Sequence, residues 1–242
     1  MISKNNIKLI HALQKKKFRE ETGQFIAEGE KLVTEAIRWN ASSIVHLYYT
    51  SEFHLEFPKD ISISATLISE KELKQLSSLQ TPNKALAIVR KPEYKNEKHN
   101  FYIALDGIQD PGNMGTIMRL ADWFGVHEII CSEDTVDCYN PKVVQATMGA
   151  IFRVRVRYSD LRTELDKSEL PIYGALLNGE NVYAKELKPE GILLLGNEGK
   201  GISKELIEII DIPLTIPKYG NAESLNVSTA GAILLSEFFR TT

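Results

Sequence analysis

Cysteine is scarce: Cys131 and Cys138 are the only two in 242 residues. Two cysteines cannot build the disulfide framework of a small secreted domain, so a reducing compartment, the cytoplasm, is the simplest setting. Long apolar runs are missing as well. No stretch approaches the roughly 18 consecutive apolar residues of a membrane span. The opening MISKNNIKLIHALQKKKFRE lacks the apolar core and small-residue cleavage site of a secretory leader. The histidines (His11, His46, His54, His99, His127) are scattered without ligand spacing, and no metal is expected. Neither sign of charge dominates, the formal net charge being -3. Hydrophobic residues make up 43%, which excludes a mostly disordered chain.

Charge is nonetheless unevenly spread. Residues 1–100 carry a net +4 and residues 101–242 a net -7. The first 19 residues hold Lys4, Lys8, Lys15, Lys16, Lys17 and Arg19 with no acidic group. Such a run either meets a polyanion or forms a solvated helix face. The polar stretch from Arg90 to Asn100, containing Pro92, separates two apolar runs and reads as a linker, bounded at 93–100. Residues 1–92 then form a small α/β domain. Its expected parts are helices over Ile7–Lys17 and Glu30–Trp39, strands over Gln24–Ala27, Ile44–Tyr49, Ile61–Ile68 and Ala85–Val89, and a capping box from Ser69 to Glu72.

Residues 101–242 alternate more regularly. Strands are expected at Phe101–Leu105, Glu128–Cys131, Arg153–Arg157, Ile172–Leu177, Ile192–Leu195 and Leu214–Ile216. Helices are expected at Thr116–Phe124, from Pro141, and over Ser159–Lys167, Ser203–Ile210 and Val227–Phe239. This is the pattern of a parallel sheet with helices on both faces, whose ligands sit beyond the carboxyl ends of the strands. Three unusual loops follow strand ends: 106–115, 196–201 and 217–226. Neither of the first two matches a familiar phosphate-binding pattern. Asp106–Gly115 is not G-x-G-x-x-G, which argues against a dinucleotide enzyme, and Gly201 follows Lys200 where a P-loop needs Ser or Thr. Ser224 has no neighbouring His in sequence, so a hydrolase triad is not expected.

Together the loops carry a signature. D-G-I-Q-D-P-G-N-M-G-T-I-M-R-L-A-D, I-L-L-L-G-N-E-G-K-G-I-S and I-P-L-T-I-P-K-Y-G-N-A-E-S-L-N-V-S-T-A-G-A-I-L-L resemble, in order and spacing, motifs 1, 2 and 3 of the SpoU family of RNA 2′-O-ribose methyltransferases, in the SPOUT superfamily. F-I-A-E-G-E-K-L-V-T-E-A at 25–36 resembles the substrate-binding domain often fused to that family, itself similar to ribosomal protein L30e.

The resemblance implies a C-terminal deep trefoil knot holding S-adenosylmethionine. It implies cofactor contacts at Gly196, Ile216 and Leu225, with Leu177 and Asn178 expected at the same edge. It implies that Arg119 acts on the ribose 2′-hydroxyl, either as a phosphate-assisted base or as a phosphate clamp that stabilises the alkoxide. Asn113 would position Arg119 or the ribose, Glu198 would orient loops or substrate, and Ser224 and Asn226 would complete the site by hydrogen bonds. The implied substrate is ribosomal RNA, with transfer RNA or a catalytically silent RNA-binding assembly factor as alternatives. A homodimer packed near the closing helix is also implied. The apolar set Ala230, Ile233, Leu234 and Phe238 fits either that interface or an intrachain core. Arg153, Arg155 and Arg157, on one face of an expected strand, either contact phosphates or face solvent.

Overall fold

The computed structural model describes residues 2–54, 63–94 and 97–240. In chain order the elements are α1 (Lys4–Ala12), α2 (Lys16–Thr22), β1 (Gln24–Glu28), α3 (Glu30–Asn40), β2 (Ile44–Tyr49), β3 (Ala65–Leu67), α4 (Glu70–Leu76), β4 (Ala85–Arg90), β5 (Phe101–Leu105), α5 (Pro111–Trp123), β6 (Glu128–Cys131), α6 (Pro141–Ala146), β7 (Arg155–Tyr158), α7 (Leu161–Asp166), β8 (Ile172–Asn181), β9 (Gly191–Leu195), α8 (Lys204–Ile207), β10 (Ile212–Thr215) and α9 (Val227–Phe238). They group into two compact units, Met1–Lys95 with Asp137–Arg153, and Asn96–Val136 with Val154–Thr242. The sequence places 137–153, with its helix from Pro141, in the second domain. These residues instead pack within the first unit. Of the expected strand Ile61–Ile68, residues 61 and 62 lie outside the described residues, as do 95 and 96 of the expected linker.

The first unit is a four-stranded mixed sheet in the order β1-β4-β2-β3. One face buries Ile26, Tyr48, Leu86 and Ile88 against Ile10 and Leu13 and against Leu73 and Leu76 of α4. The capping box is present: Ser69 Oγ accepts from the Glu72 amide, and the Glu72 carboxylate accepts from the Ser69 amide. Those bonds hold the Glu72 carboxyl down at about 2. One continuous helix over Ile7–Lys17 is not what forms. A turn splits it, and the second helix ends on Gly23, whose left-handed backbone terminates it. Arg19 is the reason the second piece sits where it does. Its guanidinium is 2% exposed and donates to Asp137 at 2.6 Å and to the Leu13 and Gln14 carbonyls. Arg19 is thus a buried anchor for residues 137–153 and not a phosphate contact.

The second unit is a six-stranded sheet, β10-β8-β9-β5-β6-β7, in which every neighbouring pair runs parallel. Leu161, Leu165 and Leu206 cover one face over Ala104, Ile130, Ile192 and Leu194. On the other face α5 and α9 pack together, and Phe101 meets Phe238 at 4.9 Å between ring centroids. Leu234 and Phe238 are buried within the chain, whereas Ala230 and Ile233 stay half-buried. Arg155 and Arg157 are half-buried and paired within the chain. Both pair with Glu128, at 3.3 and 2.8 Å, and Arg157 also pairs with Glu164. Arg153 pairs with Glu35 inside the first unit.

After β5 the chain winds towards β6 and β7, and after β9 it winds towards β10. The loops that follow β5, β8, β9 and β10 all leave the parallel sheet at the same edge, beyond the carboxyl ends of the strands.

Candidate active site

The first loop ends in a helix sooner than the turn-rich sequence suggests. Asp110 caps α5 by accepting from the Asn113 amide at 2.8 Å, and Pro111 occupies the first turn, where its missing N–H costs nothing. Helix therefore begins at Pro111 and not at Thr116, and it carries Asn113 as a buried side chain. The second loop is drawn tight by Asn197. Its Nδ2 donates to the Gly107 carbonyl at 2.6 Å, and its Oδ1 accepts from the Gly199 and Lys200 amides. Asp106 accepts from the Ser203 amide at 2.7 Å and ties the far end of that loop to the first. A Cβ on Gly196 would lie 2.3 Å from the Gly201 carbonyl carbon and the Ile202 nitrogen, so only glycine allows this approach. The third loop ends at Asn226, which caps α9 by accepting from the Ser228 and Thr229 amides.

One network joins all three loops. Asn113 donates through Nδ2 to Glu198 Oε1 at 3.0 Å, and Asn226 donates through Nδ2 to Asn113 Oδ1 at 2.8 Å. Glu198 also accepts from the Asp110 and Gln109 amides at 3.2 and 3.4 Å. Burial pushes the Glu198 carboxyl up. The hydrogen bonds from Asn113 and the backbone outweigh it and hold the group below its ordinary value. Arg119 lies further along α5, the helix that also carries Asn113. Its side chain is exposed and makes no hydrogen bond or ion pair with any described residue.

Beside this network lies a cleft of about 600 Å³, within the range of small-molecule sites. Leu177, Gly196, Ile216 and Leu225 line it, as do Glu198 and Ser224. Leu195 and Leu214 form buried parts of its wall. The structure thus brings together Asn113, Glu198 and Asn226 by hydrogen bonds, and Gly196, Ile216, Leu225, Leu177 and Ser224 around the cleft. Asn178 follows Leu177 but is not a lining residue, and Ser224 is exposed with no hydrogen bond among the described residues. The sequence motifs do not single out Asp106, Asp110 or Asn197, although Asp-Pro ahead of a helix is a cap signal that marks Asp110. Among the described residues no group of three or more His, Cys, Asp or Glu is placed to hold a metal ion.

The cleft suits a nucleoside-bearing sulfonium on its own terms. It has apolar walls for a base and backbone at a glycine for hydrogen bonding. The cations among its lining residues are Lys200 and Lys218, both exposed at the rim and away from the buried wall.

The SpoU rRNA Methylase family model matches residues 100–236, and the MRM3-like substrate binding domain model matches residues 4–87. The 23S rRNA (guanosine(2553)-2′-O)-methyltransferase RlmP of Bacillus subtilis is 33% identical over 92% of this chain and 91% of its own length. The chain spans under half the length of the vertebrate mitochondrial rRNA methyltransferases 3 that it also matches. A solved structure from Porphyromonas gingivalis, assigned to the TrmH family of RNA methyltransferases, is 37% identical over the whole of both chains with a TM-score of 0.90. The AdoMet-bound rRNA methyltransferase of Sinorhizobium meliloti is 29% identical, covering 100% of this chain and 97% of its own, with a TM-score of 0.83.

Proposed function

The chain belongs to the SpoU rRNA methylase family, and from that premise we propose that it methylates a ribose 2′-hydroxyl of ribosomal RNA with S-adenosylmethionine as donor. The observation that carries the reading is the Asn113–Glu198–Asn226 network, which locks three loops beside the cleft and includes the helix of an unpaired Arg119.

Gly196, Ile216 and Leu225 would hold the cofactor by backbone groups, with Leu177 as apolar wall. When bound, it supplies a methyl group activated by the positive charge on sulfur. The protein's own task is alignment and charge control. A guanidinium offers a planar fork of N–H donors, so Arg119 acts as a clamp on a substrate phosphate and a donor to the 2′-oxygen as negative charge develops there. Glu198 is held ionised by hydrogen bonds from Asn113 and the backbone and serves to fix the loops; the proton of the 2′-hydroxyl leaves to the substrate phosphate that Arg119 holds. Asn113 and Asn226 hold α5 at the angle that presents Arg119. Ser224 stands at the rim, free to bond substrate or cofactor.

Ribosomal RNA is preferred over transfer RNA because RlmP, which is matched along nearly its full length, is named for 23S rRNA. The presence of all five site residues speaks against a silent paralogue. The first unit would grip RNA, supported by its substrate-binding-domain match and by Lys15, Lys16 and Lys17, which are exposed. The reading includes the trefoil knot that the family resemblance implies, and a homodimer in which a second copy covers Trp123, 84% exposed at the end of α5. It places the enzyme in the cytoplasm, with the ribosomal RNA it modifies.

The test is transfer of labelled methyl to undermodified ribosomal RNA and to transfer RNA in separate reactions, with Arg119→Ala as control. Label in ribosomal RNA that blocks alkaline cleavage at one position supports the reading. Label in neither RNA, with the cofactor bound, overturns it.

A further inference from the structure

Tyr219 has no role in holding the fold together. Its side chain is 95% exposed, the most exposed large apolar group among the described residues. Tyrosine carries a large apolar ring, and a folded chain normally covers most of it. Here the ring stands on the 217–226 loop and lines the outer part of the cleft, while Leu195 and Leu214 at the wall are 1% and 0% exposed.

The loop that carries the ring is anchored on both sides. Thr215 donates to the Leu177 carbonyl at 3.0 Å just before it, and Asn226 is bound to Asn113 just after it. Two exposed cations share the rim, Lys218 beside the ring and Lys200 on the 196–201 loop, and neither makes an ion pair with a described residue. Glu223 is the acidic residue of the same loop, and it too is exposed. The combination is a presented aromatic face with unpaired ammonium groups, over a cleft whose inner wall is already apolar. A ligand that matches it has a flat π-face and a phosphate backbone. Single-stranded RNA recognition works this way: unstacked bases lie on aromatic side chains while lysines meet the phosphates.

We propose that Tyr219 is the stacking platform for an unpaired RNA base at or next to the acceptor ribose, with Lys218 and Lys200 holding the adjoining phosphates. The inference rests on the reading of the cleft as a methyl-transfer site and adds a residue that selects and seats the RNA. Stacking needs the ring and not the hydroxyl, so phenylalanine and tryptophan replace tyrosine while alanine does not.

Two measurements on the full-length chain test this. The first is methyl transfer to unmodified 23S rRNA transcript with Tyr219→Ala, Tyr219→Phe and Tyr219→Trp. The second is binding of fluorescein-labelled oligo(A) and oligo(U), about 12 nucleotides long to fill one single-strand site, followed by anisotropy with cofactor present and salt fixed. The alanine variant is expected to raise KM for the transcript and to weaken oligonucleotide binding, each by about five- to a hundredfold. The phenylalanine and tryptophan variants restore both. Cofactor affinity by calorimetry stays close to that of the parent in all three. An unchanged KM and unchanged oligonucleotide affinity in Tyr219→Ala overturn the proposal. So does a loss of cofactor affinity that matches the loss of activity, because the ring then covers the cofactor. If the parent protein labels no RNA while Tyr219→Ala still loses oligonucleotide binding, the methyl-transfer reading fails and the stacking platform stands.

Discussion

Asn226 donates through Nδ2 to Asn113 Oδ1 at 2.8 Å although 113 positions separate them in the chain. The same Asn226 caps α9 through its Oδ1, so one side chain sets the start of the closing helix and the position of the motif that carries Arg119. Asn113 in turn spends its amide nitrogen on Glu198. Its orientation is therefore fixed from both sides.

That double duty separates two variants. Asn226→Ala loses the cap, at about 1 kcal/mol, and should melt roughly 2–4 °C lower. Asn226→Asp keeps the cap acceptors but sets a carboxylate against Asn113 Oδ1, so its melting temperature should stay closer to the parent. Methyl transfer should fall about tenfold or more in both, the effect of a misplaced catalytic group. Parent-like turnover in Asn226→Asp would show that the link to Asn113 has no part in activity.

Arg119 is exposed and unpaired among the described residues, so its removal should not disturb the fold. Arg119→Ala should melt within about 1 °C of the parent, since surface changes away from special features are nearly neutral. Turnover should drop by about 10²–10³, the cost of one donor to a developing oxyanion. Arg119→Lys keeps the charge but not the planar fork and should recover only part of the loss. Melting curves and single-turnover methyl transfer check this; a large drop in stability would make the residue structural.

The Glu198 carboxyl is held below its ordinary value of 4.5 by the bonds from Asn113 and the backbone, against the effect of burial. A depressed carboxylate stabilises the folded state above its unfolded pKa. That contribution disappears as pH falls through the folded pKa. The melting-temperature gap between parent and Glu198→Gln should therefore be full at neutral pH and shrink on acidification below about 4.5. The other carboxylates are common to both proteins and cancel in the difference. A gap that stays constant down to about pH 3 would remove the ionised Glu198 from the network.

Arg19 and Asp137 form a buried pair at 2.6 Å within the first unit. Arg19→Ala strands Asp137 and two carbonyls, and should cost about 3–5 kcal/mol in urea unfolding. Arg19→Lys should rescue little, because one ammonium cannot reach all three acceptors. Cutting the chain at residue 98 removes Arg19, Glu35 and Phe25, the partners of Asp137, Arg153 and Tyr139. The remaining fragment should therefore be less stable than the intact chain.

Local patterns are readable wherever the cause is local. Alternating or continuous apolar residues mark β5, β6, β8 and β9, and the Ser69–Glu72 box marks α4, because burial on a strand and capping of a helix are set by neighbours within a few positions. The start of α5 is an exception. Glycines at 112 and 115 give the segment before Thr116 the look of a turn, yet the Asp110 cap and Pro111 outweigh them and the helix begins earlier. The three loops can be recognised as site-forming, and Asn113, Glu198 and Asn226 can be named, but not the hydrogen bonds that join them.

The parallel α/β order, the three loops that follow strand ends and the residues suited to the chemistry are all present in the linear chain, since periodicity and turn chemistry act over short range. The fold alone assigned residues 137–153 to the first unit and withdrew Arg19, Arg153, Arg155 and Arg157 from the pool of free cations. A basic side chain looks the same in sequence whether it faces a phosphate or a buried carboxylate. For Arg19 and Arg153 that carboxylate lies 118 positions away, and only packing brings it within reach.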